Sequence, residues 1–201
     1  MSQINSNITI VILAAGASSR MGTPKQLLSW GDSTLLKHTI QIAKNADVDE
    51  IVVVLGAHCE IIAHTIEGHS ISVIVNKNWD KGLGSSIAYA VNHILRIKEN
   101  VDGVLFILAD QPFVTTTYLR KMLNSFKHGE AKIIASAYDN GKIGVPALLD
   151  SSYLSELALL KGDYGAKFIL KKHKDSLNLL SPDFENIDID TKEVYNRVLK
   201  Q

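Results

Sequence analysis

The stretch Ile8-Thr-Ile-Val-Ile-Leu-Ala-Ala-Gly16 reads as a buried strand feeding a loop: a run dominated by β-branched residues reaches Leu13 and breaks at Ala14-Ala15-Gly16. Strand signals recur at Ile51–Leu55, Ile71–Val75 and Val104–Leu108, separated by stretches of helical periodicity at Thr34–Ala46, Glu60–Glu67 and Gly84–Ile97. This alternation predicts an α/β protein with a mostly parallel sheet and helices on both faces. A helix over Tyr118–Phe126 and a strand over Ala131–Ala137 continue it. Beyond Gly141 the pattern is less regular. Helices are predicted at Tyr153–Leu159 and Tyr164–Lys171, a short strand near Leu177–Leu180, an alternating segment at Ile187–Ile189, and a last helix from Lys192. Residues 141–180 read as an insertion on the substrate side. No repeat, low-complexity tract or linker divides the chain, so residues 1–201 are expected to form one domain.

Composition narrows the function classes. Lys plus Arg and Asp plus Glu each total 21, so no global field draws a polyanion, and neither nucleic acid nor a membrane surface is expected as partner. An anion site has to be built locally. The single cysteine, Cys59, excludes an intramolecular disulfide and reads as a small buried hydrophobe. Residues 1–7 are polar without a basic region, and the apolar run 8–15 is too short to span a bilayer, which makes the cytoplasm the expected compartment.

The loop after the first strand carries Gly16, Arg20, Gly22 and Lys25. In open parallel sheets, ligands bind beyond the carboxyl ends of the strands, so this loop is well placed to hold one. Gly16 and Gly22 let main-chain N–H groups approach a phosphate, and Arg20 and Lys25 add fixed positive charge. A Walker A loop is excluded because Gly22 is followed by Thr-Pro-Lys, and the Gly-x-Gly-x-x-Gly fingerprint of dinucleotide sites is absent. Asp110 stands at the tip of the Val104–Leu108 strand, stiffened by Pro112, either as a cap or as a metal ligand. Asp188 and Asp190 alternate with isoleucines, and in a strand they would share a side. Asp190 is either the cap of the last helix or, in preference to Asp188, a second ligand for Mg²⁺, which takes one or two carboxylates plus phosphate oxygens and water. The seven histidines show no zinc spacing, and no Gly-x-Ser-x-Gly elbow supports hydrolase chemistry.

Taken together, Leu13-Ala-Ala-Gly, Arg20-Met-Gly-Thr-Pro-Lys25, Asp110-Gln-Pro, Gly144-Val-Pro146, Gly162-Asp-Tyr-Gly-Ala166 and Asp188-Ile-Asp-Thr191 resemble the molybdenum cofactor cytidylyltransferase family, in that family's order and over nearly the whole chain. The resemblance implies a Rossmann-like three-layer nucleotidyltransferase fold. It also implies CTP as donor, molybdopterin as acceptor and a molybdenum hydroxylase as recipient of the product. Ala15 is similar to the CTP-using branch, where sister guanylyltransferases carry glycine. Val145, Lys167 and Lys192 depart from the family's His, Arg and Pro, and these departures bear on the acceptor.

The site that follows from the resemblance has Lys25 and Arg20 on the triphosphate, with Asp110 and Asp190 or Asp188 holding Mg²⁺. Leu13, Ala14, Ala15, Gly16 and Gly22 lie beside the nucleotide. Asn76–Ser86 matches the family's second nucleotide loop, with Gly84, Ser85 and Ser86 in it; Ser85 reads equally as a helix cap, and Trp79 as packing. Gly144, Pro146, Asp163 and Lys167 fall on the acceptor side. Two other readings stay open: a guanylyl or sugar-phosphate nucleotidyltransferase, and a non-catalytic nucleotide-binding assembly factor.

Overall fold

The computed structural model describes residues 7–130 and 132–200. The polar segment 1–6 and Ala131, the first residue of a predicted strand, lie outside the described residues. The chain runs β1 (Ile8–Ala14), a hairpin of β2 (Ser29–Trp30) and β3 (Ser33–Thr34), α1 (Leu35–Lys44), β4 (Glu50–Leu55), α2 (Cys59–Thr65), β5 (Ser72–Val75) and α3 (Leu83–Ile97). It continues with β6 (Gly103–Leu108), α4 (Thr116–Ser125), β7 (Ile133–Ala137), β8 (Ile143–Asp150), α5 (Leu154–Leu157), α6 (Gly165–Lys172), β9 (Leu177–Leu180) and α7 (Lys192–Val198).

Seven strands form one sheet in the order β5-β4-β1-β6-β8-β7-β9, in which β8 alone runs against the rest. Every residue of β1 is buried, as the uninterrupted apolar run requires of a central strand covered on both faces. Alternate β1 residues divide between two cores. Ile10 and Ile12 pack with Leu36 and Ile40 of α1 and with Tyr118 and Met122 of α4; Val11 and Leu13 pack with Ile87 and Val91 of α3 and Ile169 of α6. The result is the predicted three-layer α/β architecture. Among the described residues, no helix is long and apolar enough to cross a membrane.

Residues 141–180 are not an insertion. They supply β8, which pairs with both β6 and β7, and β9 at the sheet edge. Gly144 and Pro146 hide β8 from a sequence reading, since both normally interrupt central strands. A register shift resolves the conflict: Ala135 pairs with Ala147 but Ser136 pairs with Gly144, so Val145 and Pro146 sit in a bulge. The Ile187–Ile189 segment is likewise no strand. Ile189 is fully buried in a third, small cluster with Met21, Leu35 and Val198, and that cluster holds the chain end against the loop after β1. Cys59 is half-buried at the start of α2, packed against the first core rather than within it.

Candidate active site

The chain leaves β1 for β4 and β5 on one side and returns to β6 on the other. The carboxyl ends of β1 and β6 therefore diverge into a crevice, the usual ligand position in open α/β sheets. A cleft of about 430 Å³ occupies it, floored by Leu13, Ala14, Ala15 and Leu108. Gln26, buried within the turn at 25–27, closes one end by donating to the carbonyls of Ala14 at 2.7 Å and Gly16 at 3.1 Å. The Ala15 carbonyl accepts from Ala57 N–H at 3.0 Å, and the Ser18 hydroxyl accepts from Lys25 N–H at 3.0 Å. The loop is thus a braced wall whose carbonyls at Ala14, Ala15 and Gly16 are satisfied from behind.

Four charged residues from three distant parts of the sequence meet at its mouth. The Lys25 ammonium donates to Asp110 Oδ2 and, at 3.0 Å, to Asp190 Oδ1; Arg20 reaches Asp190 Oδ2 at 3.3 Å. Ile189 N–H donates to the Asp110 carbonyl at 2.9 Å, and buried Gln111 donates to Asp188 at 2.8 Å and Asn186 at 3.2 Å. These bonds fasten segment 186–190 to the tip of β6 and bring Asp190 over Lys25. Asp188 and Asp190 consequently take different partners. Asp188 is exposed and held by Gln111, while Thr191, not Asp190, caps α7 by accepting from Val194 N–H.

Burial alone would lower the Lys25 pKa, but the charge of Asp110, its hydrogen bond and the added pull of Asp190 raise it above the ordinary lysine value. Burial raises the Asp110 pKa above the usual carboxylate range despite Lys25, and the nearby Asp188 and Asp190 add to the rise. Burial also opposes ionisation of Asp190, yet Lys25 and Arg20 outweigh it and hold that carboxyl below its usual value. Asp110 Oδ1 is buried without a hydrogen-bond partner among the described residues. An orphaned carboxylate oxygen beside a second carboxylate is a hard-oxygen donor set of the kind Mg²⁺ or Mn²⁺ accepts.

The structure divides the remaining sequence candidates. Gly16 and Ser86 line the cleft with the β1 floor; Gly22 turns at φ 71° outside it. Ser85 faces a neighbouring hollow, where its hydroxyl donates to the Asn78 carbonyl at 2.9 Å, so it neither caps α3 nor lines the cleft. Gly84 packs on the carbonyl of Gly162, and Trp79 both packs on Gly56 and forms part of the cleft wall. Gly144 and Pro146 lie in the first half of β8, whose antiparallel pairing with β6 brings them to the same end of the sheet as Asp110. Lys167 is exposed on α6, whereas Asp163 lines the cleft itself. Gln111 and Asn76 stand in quoted motifs, but their bracing bonds, like those of Gln26, escape a sequence reading because a lone amide carries no periodic signal; buried Asn76 bonds Ser85 and Ser86.

A crevice at the switch point of a parallel sheet, with lysine, arginine and paired carboxylates at its mouth, defines a phosphate-handling α/β protein. The chain belongs to the MobA-like NTP transferase family, whose domain model matches residues 10–177, and it is a nucleotidyltransferase of that family. The motifs from Leu13 to Ala166 fall within the matched residues, and Asp188-Ile-Asp-Thr191 lies beyond them. Nicotine blue oxidoreductase of Paenarthrobacter nicotinovorans is 30% identical over 206 residues, spanning 96% of each chain. Among solved structures, Rv0371c from Mycobacterium tuberculosis H37Rv superposes with a TM-score of 0.86 at 30% identity, covering 99% of this chain and 100% of that one. The same Mycobacterium tuberculosis protein in complex with manganese gives 0.82 at 29% identity, covering 98% and 100%.

Proposed function

We propose that this protein transfers CMP from CTP to the phosphate of molybdopterin, releasing pyrophosphate, and that residues 1–201 act as one domain. The observation that carries this reading is the convergence of Asp110 and Asp190 on Lys25 at the mouth of the β1–β6 crevice, with one Asp110 oxygen unpartnered among the described residues. An acceptor phosphate oxygen attacks the α-phosphorus in line. The new P–O bond forms as the bond to the β-phosphate oxygen breaks, and pyrophosphate leaves. A phosphate monoester is already ionised near neutral pH, so no general base is needed, and the protein's task is positioning and charge neutralisation. Lys25 and Arg20 bind the triphosphate and offset the charge that builds on the leaving group. Asp110 and Asp190 would hold a divalent cation, Mg²⁺ in the cell, which supplies further charge neutralisation at the phosphates. The manganese complex of Rv0371c supports a metal requirement. Gly144, Pro146 and Lys167 form the acceptor side, and a molybdenum hydroxylase receives the product.

A nucleotide panel tests the donor. With Mg²⁺ present, CTP at a hundredfold excess over its Kd is expected to stabilise the fold by about 2.7 kcal/mol, more than GTP, ATP or UTP does, and to yield pyrophosphate once a molybdopterin source is added. A GTP preference points to the guanylyl reading, and no nucleotide effect to a non-catalytic role. The identity with nicotine blue oxidoreductase supports a second reading, an oxidoreductase. Consumption of an added reductant or oxidant without pyrophosphate release would favour it.

A further inference from the structure

Asp163 belongs by motif with the acceptor residues, yet it lines the cleft with Gly16, Gly82, Leu83 and Ser86. The segment carrying it is docked on the start of α3, where Gly82 and Gly84 lack a side chain. At Gly82, whose φ is 95°, an added Cβ would lie 2.3 Å from Asp163 Oδ1 and 2.5 Å from the carbonyl carbon of Gly162. At Gly84 it would lie 2.8 Å from the Gly162 carbonyl oxygen, and at Gly165 2.8 Å from Leu83 Cδ2. Close approach of two main chains thus fixes a carboxylate in the cleft wall.

The chemistry of the cleft assigns that carboxylate a partner. The floor of Leu13, Ala14, Ala15 and Leu108 is apolar and suits a flat base, and the phosphates belong with Lys25. Asp163 is solvent-exposed at the rim, with Asp80 also lining this part of the cleft. An anion there repels phosphate and accepts hydrogen bonds, and the sugar hydroxyls are the donors a nucleotide presents between base and triphosphate. We propose that Asp163 accepts a hydrogen bond from a ribose hydroxyl of the bound nucleotide and so sets a preference for ribonucleotides over deoxyribonucleotides; this rests on the nucleotide-donor reading above.

Calorimetric titration of the unaltered protein, Asp163→Asn and Asp163→Ala with CTP, 2′-deoxy-CTP and 3′-deoxy-CTP tests it. The unaltered protein should bind CTP about tenfold more tightly than at least one deoxy analogue, as expected for loss of a charge-assisted hydrogen bond. In Asp163→Ala, CTP should bind only as tightly as that analogue, whose own affinity stays unchanged; this second result also shows that the variant is folded. Asp163→Asn, which keeps the size and one acceptor oxygen, should fall between. The same CTP-to-deoxy ratio in Asp163→Ala and the unaltered protein overturns the proposal, as does equal binding of all three ligands by the unaltered protein. An unaltered protein that binds no triphosphate at all overturns the donor reading as well.

Discussion

Asp110→Asn is expected to cut pyrophosphate release by about a thousandfold while melting no lower than the parent protein at neutral pH. The loss follows because a neutral amide cannot replace the carboxylate proposed to hold the cation, and removal of one electrostatic stabiliser commonly costs two to three orders of magnitude. The stability follows from the raised Asp110 pKa. A carboxyl whose pKa is higher in the folded than in the unfolded state favours folding when protonated. That contribution is fully present below the unfolded pKa and is lost as pH rises through the folded value. At pH 7 burial of the ionised Asp110 therefore costs stability that asparagine avoids, and Lys25 keeps Asp190 as its charged partner, a common trade of stability for function. The same shift gives turnover a pH limb. Activity should rise with pH as Asp110 ionises, with its midpoint above the ordinary carboxylate range, and extra Mg²⁺ should move that limb to lower pH by favouring the ionised form. Profiles of kcat/KM against pH at two Mg²⁺ concentrations check both points. Unaltered pyrophosphate output from Asp110→Asn would remove Asp110 from the metal site.

Lys25→Met should be comparably inactive but unstable, which separates the two roles. Lys25 and Asp110 have side chains only 18% and 15% exposed, and Asp190 shares the same ammonium. Removing the cation leaves two carboxylates facing each other in a poorly solvated site, a loss of about 3 kcal/mol for breaking such a pair. For a domain of this size that corresponds to roughly 6–12 °C in Tm. Two treatments should restore stability without restoring turnover. Lowering the pH allows Asp110 to take a proton, and millimolar Mn²⁺ or Mg²⁺ can stand between the carboxylates. Thermal melts across pH and metal concentration decide the matter. A variant that melts normally and ignores metal would show that Lys25 does not hold these acids together.

Legibility in the sequence followed physical rules. The central strand, the loop glycines, Lys25 and Asp110 could be read because burial on both faces and a strand-to-loop break leave a local imprint. For the partner of Asp110 the alternation offers Asp188 and Asp190, with Asp190 preferred, but not the reason for the preference. The choice depends on the burial of Ile189 beside Met21 and on the bonds from Gln111, contacts that join residues far apart in sequence. β8 was hidden by Gly144 and Pro146, whose strand-breaking tendency is offset by a bulge against Ser136. Ser85 and Ser86 look equivalent as neighbours, but successive residues on α3 face different hollows, and only Ser86 enters the cleft. Likewise, the spacing of Gly162-Asp-Tyr-Gly does not disclose that the Gly162 main chain docks on Gly82 and Gly84 while Gly165 packs on Leu83.

The most direct measurement is a crystal of the protein with CTP and Mn²⁺, read by the anomalous signal of the metal. The account predicts one peak in contact with carboxylate oxygens of both Asp110 and Asp190, with the Lys25 ammonium turned to the phosphates. A peak away from either aspartate, or a bound triphosphate with Lys25 still bridging both acids and no metal between them, would contradict it.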